Sequence, residues 1–302
     1  MKNVTPSITV LIAVRNEAAN IERCLAALSF AERIVVLDSG STDGTQEIVQ
    51  RCGGELVQFE YRGGYPKKRQ WALENIPIAT EWVLLLDADE IIPAALREEI
   101  CEALKSPGDK NAFTIRKGFH FLGRRFRYGG FSHEAVLLIR PTAARFEELV
   151  EVPGDTLDME VHERVVVEGS VGRLNTPLIH EDFKGLRAYI DKHNHYSTWE
   201  AYLRWQALQT GRYGKYSVQA KLLGNTQERR RWLKHIAIRV PLEPWLWFCY
   251  HYFFRLGLLE GAPGRIASGL RMQYISNVRA KIYELKTSAS RQAKHRRMEP
   301  EA

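Results

Sequence analysis

Residues 82–86 (Trp-Val-Leu-Leu-Leu) are apolar at every position, which limits the folds that this chain can adopt. A strand that is apolar on both faces belongs in a sheet that helices cover on both sides. Short apolar runs and amphipathic stretches alternate through the first ~100 residues, as βαβ units around a parallel sheet require. The sequence therefore predicts an α/β domain that begins near the N-terminus.

The apolar runs also predict where the strands and helices lie. The predicted strands are residues 7–14, 33–37, 55–60 and 81–86, and the predicted helices are 16–28, 41–52 and 67–74. Ser41 or Thr42 is the predicted N-cap of the second helix. From 112 to 180, β-type runs broken by Gly and Pro predict a mixed extension of the sheet. From 186 onward the chain is predicted to be helical, and it is rich in aromatic residues.

Charge divides the chain into two parts. Residues 1–182 hold 21 Lys and Arg against 28 Asp and Glu, whereas residues 183–302 hold 22 against 8. We therefore expect one domain over 1–182, a basic helical region over 183–290 and a disordered basic tail over 291–302. The four cysteines lie far apart without a CxxC pair, so the sequence predicts neither a zinc site nor a disulfide framework. The first residues do not resemble a signal peptide, so the cytosol is the expected compartment.

Acidic residues follow three of the predicted strands. The first strand is followed by Glu17, the second by Asp38, and the fourth by Asp87 and Asp89. Ligands bind beyond the carboxyl ends of the strands in an open parallel sheet, so we expect these acids in one crevice. Asp43 stands in a Ser-Thr-Asp-Gly sequence, which favours a structural role in a turn into a helix.

Asp87 and Asp89 are the strongest candidates for binding chemistry. They stand one residue apart directly after a buried apolar strand, so their charges repel unless they share a cation. Mg²⁺ and Mn²⁺ are bound by one or two carboxylates together with substrate phosphates. The pair therefore predicts a divalent metal next to a phosphate group.

Four segments, in this order and spacing, carry a family resemblance: Val14-Arg-Asn-Glu17, Asp38-Ser-Gly-Ser-Thr-Asp-Gly-Thr45, Lys68-Arg69 with Ala72, and Leu86-Asp-Ala-Asp-Glu90. Together they resemble the inverting glycosyltransferases of family 2, over residues 8–182. The resemblance implies the nucleotide-diphospho-sugar transferase (GT-A) fold, a Rossmann-like mixed sheet flanked by helices. It implies a nucleotide-binding half at 1–110, an acceptor half at 111–182 and a metal-dependent transfer from a nucleotide-sugar.

The resemblance also implies roles for single residues. Asp38 and Glu17 would contact the base and ribose, and Arg69 or Lys68 the base or phosphates. For Lys68 and Arg69, the alternative is an exposed basic turn of a helix that binds no ligand. Gly130, after Gly129, would let the backbone approach the donor sugar. The implied donor-site residues are Val14, Asn16, Glu17, Asp38, Lys68, Arg69, Asp87, Ala88, Asp89 and Gly130.

An inverting transfer needs a base that takes the proton from the acceptor hydroxyl. The candidates are Glu134, Glu163 and Asp182. The chain resembles a subgroup in which a His-Glu pair precedes a strand and a later His ends the next one, which implies Glu163 as the base. Asp182 is the alternative, because a Glu-Asp pair is the commoner pattern. The implied metal ligands are Asp87, Asp89 and His180, and hydrogen-bonded loop histidines are the alternative for His162 and His180.

The C-terminal part contains an aromatic run without charge. Residues 244–254 are eleven uncharged residues, which is short of the ~20 that cross a bilayer. Aromatic residues beside Arg and Lys predict a helix that lies in the headgroup layer of an anionic membrane. A buried helix that covers the catalytic domain is the alternative. No recognised nucleic-acid-binding module is present, so no nucleic-acid partner is expected.

Residues 193–200 and 250–261 resemble the tail of lipopolysaccharide-core β-1,4-glucosyltransferase-like proteins. This implies a membrane-anchored acceptor such as a lipid-linked saccharide, with UDP-linked glucose as the favoured donor. It also implies a cytoplasmic protein that is peripheral on the inner face of the cell membrane. Two other hypotheses stay open: a protein or peptide glycosyltransferase, and a non-catalytic protein that binds nucleotide-sugars at a membrane.

Overall fold

The computed structural model describes residues 7–149, 164–211, 214–216, 220–224, 226–237 and 239–298. The described chain divides into two compact units. The first contains the residues up to Glu148 and those from 164 to Lys184, and the second contains the residues from Gly185 onward. A division of labour between a catalytic part and a membrane-associating part stays a prediction.

The strands up to His180 alternate with four α-helices. The strands are β1 Ile8–Val14, β2 Arg33–Asp38, β3 Glu55–Gln58, β4 Trp82–Asp87, β5 Glu90–Ile91, β6 Lys110–Phe121, β7 Arg124–Arg125, β8 His133–Ile139, β9 Ala144–Phe146, β10 Glu148–Leu149, β11 Val165–Val167, β12 Ser170–Arg173 and β13 Leu178–His180. The helices are α1 Ile21–Ala26, α2 Thr45–Arg51, α3 Lys68–Asn75 and α4 Ala94–Lys105. A 3₁₀ turn covers Pro141–Ala143.

Ten of the described strands form one mixed sheet. Its order is β3-β2-β1-β4-β8-β6-β13-β5, with β7 and β12 also paired to β6. The neighbours from β3 to β4 are parallel, whereas β8 is antiparallel to both β4 and β6. The predicted GT-A fold, a mixed sheet flanked by helices, is therefore confirmed, and so are helices in the C-terminal part.

The core of the first unit lies around β1 and β4. Residues 83–86 of β4 are at most 1% exposed, as their apolar sequence predicts. Burial of each such side chain contributes about 1.5–3 kcal/mol. The structural reason for the sheet is therefore the one read from the sequence: a strand without a polar face must be covered on both sides.

The first two helices begin later than predicted. Helix α2 begins at Thr45, and the residue before it, Gly44, is the N-cap with φ 89°. The prediction of Ser41 or Thr42 as N-cap is therefore wrong. Helix α1 begins at Ile21 rather than at residue 16.

The reason is that the loops after β1 and β2 bind each other. The Asn16 N–H donates to the Ser41 hydroxyl (2.8 Å), and the Thr42 N–H donates to the Asn16 side-chain oxygen (2.8 Å). The Ala18 N–H donates to Asp43 (3.0 Å). Asn16 has a φ of 55°, which excludes it from a helix. Residues that resemble N-caps in the sequence are used instead to join two loops at the carboxyl edge of the sheet.

The second unit is mainly helical. Its elements are α5 Gly185–Thr210, β14 Gly214–Tyr216, α6 Thr226–Ala237, α7 Glu243–Cys249 and α8 Gly261–Met298, with a π-helical turn at Tyr250–Phe254 and a 3₁₀ turn at Gly257–Glu260. Helices α5, α7 and α8 pack together. Within the described ranges, no helix is both long and apolar enough to cross a membrane.

A buried ionic network joins α5, α7 and α8. Arg204 lies 2.7 Å from Glu200 and 2.8 Å from Glu243, and both acids are at most 4% exposed. The Tyr274 hydroxyl donates to Glu200 at 2.5 Å. Burial lowers the pKa of Arg204, but the two carboxylates raise it by more than burial lowers it. The pKa of Arg204 therefore lies above its ordinary value. The network therefore keeps charges in the interior by pairing them.

Candidate active site

The carboxyl ends of β1, β2 and β4 meet at one edge of the sheet. Val14 pairs with Asp38 across β1 and β2, and Ala13 pairs with Asp87 across β1 and β4. Parallel strands in this register bring the polar segments after them together. The backbone topology therefore places the segments that follow β1, β2 and β4 at one edge of the sheet.

Asp87 lies between two cations. Its Oδ1 is 2.6 Å from Arg69 Nη2, and its Oδ2 is 2.9 Å from Lys117 Nζ. Burial raises the pKa of Asp87, but Lys117 and Arg69 lower it more, so the pKa lies well below the ordinary range. Asp87 is therefore ionised, with 41% of its side chain still exposed to a ligand.

Lys117 and Glu90 are the two residues of this cluster that the sequence analysis did not assign. Lys117 Nζ lies 2.5 Å from Glu90 Oε1, and the Asp87 N–H donates to Glu90 Oε2 at 3.0 Å. Glu90 is fully buried, and burial raises its pKa. Burial lowers the pKa of Lys117, but Asp87 and Glu90 raise it more, to above its ordinary value. Lys117 continues the alternation of the buried residues Phe113 and Ile115 along β6, and a lysine at such a position was the signal that could have identified it.

Asp89 lies beside His180. Strand β13 runs antiparallel to β5 and pairs His180 with Glu90, which brings His180 Nε2 to 3.3 Å from Asp89 Oδ2. Asp89 is 6% exposed. Burial lowers the pKa of His180, but the charge and the hydrogen bond of Asp89 raise it more. The two residues that the resemblance assigns to a metal therefore already attract each other.

The spacing of these two groups suits a divalent ion. Two ligand atoms at adjacent corners of an octahedral ion, each about 2.1 Å from it, lie about 3 Å apart. Asp89 Oδ2 and His180 Nε2 lie at 3.3 Å. In the part of the chain that the structure describes, no group of three or more acidic, histidine or cysteine side chains is arranged for a metal. Water and substrate oxygens would supply the remaining ligands.

Glu17 lies in a second polar group at the same edge. Its carboxylate is 2.5 Å from Lys184 Nζ and accepts a hydrogen bond from the Asn20 amide at 2.9 Å. The same amide donates to Asp182 at 3.0 Å. Burial raises the pKa of Glu17 more than Lys184 and Asn20 lower it. The structure thus joins two predicted site residues, Glu17 and Asp182, through Asn20, which the sequence analysis did not assign.

Asp38 and Lys68 are occupied by protein groups. Asp38 is fully buried and accepts hydrogen bonds from the Ser41 N–H (3.0 Å), the Ser41 hydroxyl and the Gln46 amide (2.7 Å). Lys68 Nζ donates to the Val14 carbonyl at 3.0 Å. In this structure Asp38 joins the end of β2 to the loop after it and to α2, and Lys68 joins α3 to the end of β1.

Lys68 and Arg69 are not an exposed basic turn. They are 5% and 9% exposed, so this alternative interpretation is wrong. Arg69 also donates to the Leu86 carbonyl at 2.9 Å, which fixes its guanidinium at the end of β4. Their positive charge faces the edge of the sheet rather than solvent.

The three base candidates are placed differently. Glu134 on β8 is 2.6 Å from Arg173. Asp182 lies two residues after the end of β13 and accepts a hydrogen bond from the Lys184 N–H at 3.0 Å. Glu163 and His162 lie outside the described residues. The assignment of the base therefore stays a prediction.

The other predicted donor-site residues lie in backbone positions. Gly129 and Gly130 have φ values of 81° and 68°, a conformation that glycine adopts without strain. Ala88, between the two aspartates, is 3% exposed. The roles of these residues in binding the donor stay predictions.

Comparison with known proteins identifies the family. The family model described as Glycosyl transferase family 2 matches residues 9–155. The lipopolysaccharide core biosynthesis glycosyltransferase LpsC of Rhizobium meliloti is 32% identical over 200 residues, which are 64% of this chain and 70% of that protein. An uncharacterized glycosyltransferase of Rickettsia bellii is 36% identical over 98 residues, 32% of each chain.

A solved structure is also similar to part of the chain. It is glucosyl-3-phosphoglycerate synthase from Mycobacterium tuberculosis in complex with Mn²⁺, UDP and glucosyl-3-phosphoglycerate, 25% identical with a TM-score of 0.32. The similarity covers 39% of this chain and 46% of that one. The chain thus spans less than half the length of this protein and of the Rickettsia relative. Because the family match includes all four segments that carry the resemblance, and LpsC matches over most of its length, the chain belongs to glycosyltransferase family 2 and is a glycosyltransferase.

Proposed function

We propose that the chain is a metal-dependent inverting glycosyltransferase that moves a hexose, glucose by preference, from a UDP-linked donor to a lipid-linked saccharide. One observation carries this proposal. The acid pair at the end of β4 has Asp87 fixed between Arg69 and Lys117, and Asp89 beside His180. This arrangement provides one ionised carboxylate and one pair of metal ligands for a nucleoside diphosphate.

In this proposal Asp89 and His180 hold the divalent ion, Mg²⁺ or Mn²⁺. When bound, such an ion would stabilise the negative charge that develops on the leaving nucleoside diphosphate. Arg69 and Lys117 keep Asp87 ionised, so that it accepts hydrogen bonds from the ribose and assists the metal site. The side chains of Arg69 and Lys117 already lie beside Asp87 before the substrate binds, which reduces the reorganisation that the reaction requires.

The acceptor hydroxyl needs a base. The base takes its proton while the oxygen attacks the anomeric carbon and the bond to the diphosphate breaks, so the configuration inverts. We assign this role to Glu163, with Asp182 as the alternative. Asp182 is supported by its position two residues after His180 and by its link through Asn20 to Glu17.

The nature of the acceptor rests on the similar proteins. LpsC is named for lipopolysaccharide core biosynthesis. A saccharide on a lipid anchor, reached from the cytoplasmic side of the membrane, is the acceptor that this relationship supports. Such an acceptor lies at a membrane surface, and the basic second unit would bind that surface.

The test uses purified full-length protein, labelled UDP-glucose, Mn²⁺, and either a lipid extract or a peptide pool. Label in the lipid fraction that disappears with EDTA is the expected result. Label in peptides would contradict the proposed acceptor, and no transfer at all would favour a protein that only binds nucleotide-sugars. Asp89→Ala should abolish transfer while circular dichroism stays unchanged, and Glu102→Ala, in an exposed acid of α4, is the matched control. Unchanged turnover in Asp89→Ala would overturn the metal assignment.

A further inference from the structure

The second unit exposes a run of large apolar side chains. Nine of the eighteen residues 242–259 are apolar or aromatic and more than 40% exposed. We call these nine the 242–259 surface: Leu242, Trp245, Leu246, Tyr250, Phe253, Phe254, Leu256, Leu258 and Leu259. The rings of Phe248, Tyr252 and Phe253 also lie in contact, with centroids 5.1–6.3 Å apart. An exposed apolar surface of this density marks an interaction site rather than an ordinary solvated surface.

The polarity of this segment is inverted. Glu243 and His251 point inward, as does Glu260 directly after the segment, since they are 2%, 7% and 2% exposed. Trp245 and Phe254, in contrast, are 61% and 81% exposed. A surface helix in water has the opposite arrangement, with its apolar residues toward the core and its charges toward solvent. The outward face of this segment is therefore suited to an apolar environment.

Ion pairs hold the segment in this orientation. Glu243 lies 2.8 Å from Arg204 of α5 and 3.3 Å from Arg279 of α8. A rotation that buried Trp245 would expose Glu243 and leave the buried Arg204 without one of its two carboxylates. Such a broken buried pair is strongly unfavourable, so the apolar face stays outward.

The turns after α7 are also fixed in place. A Cβ at Gly257 would lie 2.6 Å from the His251 carbonyl oxygen, so the chain packs there at backbone contact. Leu256 has a φ of 58°, an unfavourable conformation for a leucine, and its side chain is 45% exposed. This turn therefore leaves the Leu256 side chain on the outward face with its neighbours.

The exposed charges around this surface have one sign. Between residues 239 and 270 the exposed charged side chains are Arg239, Arg255 and Arg265, and the acids of this stretch are the buried Glu243 and Glu260. Arginines beside exposed Trp, Phe and Leu side chains match the headgroup layer of an anionic lipid leaflet. These charges therefore favour a partner that presents anionic groups next to an apolar interior, as a lipid leaflet does.

We propose that the 242–259 surface inserts into one leaflet of an anionic bilayer, at the boundary between headgroups and acyl chains. The surface cannot cross a bilayer, because the described helices lack a span of sufficient length and apolarity. Insertion would place Trp245 and Phe254 among the acyl chains and Arg255 and Arg265 at the phosphates. The role of this contact rests on the proposed function, since it would bring the enzyme to the leaflet that holds a lipid-linked acceptor.

The experiment is flotation of the full-length protein with vesicles, without any nucleotide-sugar. The vesicles are phosphatidylcholine alone or with about one third phosphatidylglycerol, a content that gives the anionic surface. The wild type should bind the anionic vesicles, and Trp245→Glu/Phe254→Glu should weaken the partition coefficient at least about tenfold. Arg255→Ala/Arg265→Ala should weaken binding to anionic vesicles by about fivefold per arginine, with no change on phosphatidylcholine.

Leu223→Glu is the matched control, because Leu223 is 97% exposed but lies outside the surface. It should leave vesicle binding unchanged. Equal binding by wild type and Trp245→Glu/Phe254→Glu would overturn the proposal. So would a wild type that ignores vesicles and forms a dimer that the same double substitution dissociates, because the surface would then contact a second copy.

The two proposals fail separately. Vesicle binding requires no transfer, so a protein that floats but transfers no sugar contradicts the proposed function alone. A protein that transfers sugar in detergent and does not float contradicts the membrane inference alone. Unchanged circular dichroism of the double variant would show that lost binding is not lost folding.

Discussion

His180 Nε2 lies 3.3 Å from Asp89 Oδ2, although the two residues are far apart in the sequence. The antiparallel pairing of β13 with β5 causes this proximity. The contact joins the acidic motif after β4 to β13, which belongs to the predicted acceptor half of the domain. If the proposed function is correct, one metal ion links the donor and acceptor sides here.

The metal should stabilise the fold through this pair. Mn²⁺ with UDP should raise the melting temperature of the wild type, since a ligand at 100 times its Kd adds about 2.7 kcal/mol of stability. Asp89→Asn and His180→Asn should each lose most of this shift in a thermal-shift assay. His195→Asn, at an exposed histidine of α5, should keep it. A full shift in both site variants would show that the ion binds elsewhere.

Removing the cation between Asp87 and Glu90 should destabilise the fold. Lys117→Met leaves the buried Glu90 without its cation and Asp87 with Arg69 alone, and the free energy of unfolding should fall by about 3–5 kcal/mol in urea titrations. Adding Glu90→Gln should recover part of this loss, because one uncompensated acid is gone. Lys105→Met removes an exposed pair with Glu102 and should change stability little. Equal losses for Lys117 and Lys105 would contradict the importance of burial.

The loop contact of Asp43 should make stability depend on pH. Burial raises the pKa of Asp43, but hydrogen bonds from Thr45 and the Ala18 N–H lower it more, so its folded pKa lies below 3.8. A lowered pKa stabilises the fold above the unfolded pKa, and this stability is lost as pH falls through the folded pKa. Asp43→Asn should therefore cost about 1 kcal/mol or less at pH 7, since the group is exposed. The difference from wild type should shrink below pH 3.8, and a difference that grows there would contradict this assignment.

The base should be identified by kinetics. Glu163→Gln should lower kcat by about 10²- to 10⁴-fold and leave donor affinity unchanged. Asp182→Asn should have a smaller effect, through its lost hydrogen bond with Asn20. Steady-state rates and equilibrium binding of the donor separate the two effects. A larger loss of kcat in Asp182→Asn than in Glu163→Gln would assign the base to Asp182.

The buried network of the second unit should be a major source of its stability. Arg204→Met leaves Glu200 and Glu243 buried without their shared cation and should cost about 3–5 kcal/mol. Tyr274→Phe removes only the hydrogen bond to Glu200 and should cost about 1 kcal/mol. Urea unfolding measures both. A loss for Arg204→Met no larger than that for Tyr274→Phe would show that the arginine charge contributes little.

The sequence predicted the sheet well because its signal is local. Residues 83–86 are buried on both faces, as an unbroken apolar run requires, and the observed β4 at Trp82–Asp87 agrees with the prediction of 81–86 to within one residue. The helix starts were predicted less well. Side chains of Ser41 and Asp43 have two uses, as a helix cap or as a partner of another loop, and local sequence does not distinguish them.

The sequence alone determined the α/β class, the acidic motif at Asp87 and Asp89, and the family, because each depends on residues close together in the chain. Tertiary structure decided which distant charges meet. Lys117 contacts Asp87 and Glu90 because the sheet places β6 between β8 and β13. His180 contacts Asp89 because β13 pairs with β5. Tertiary structure also decided that Glu243 and Glu260 point inward and Trp245 and Phe254 outward. Composition predicted a basic, aromatic segment, but only packing against α5 and α8 fixes which of its faces is left for a partner.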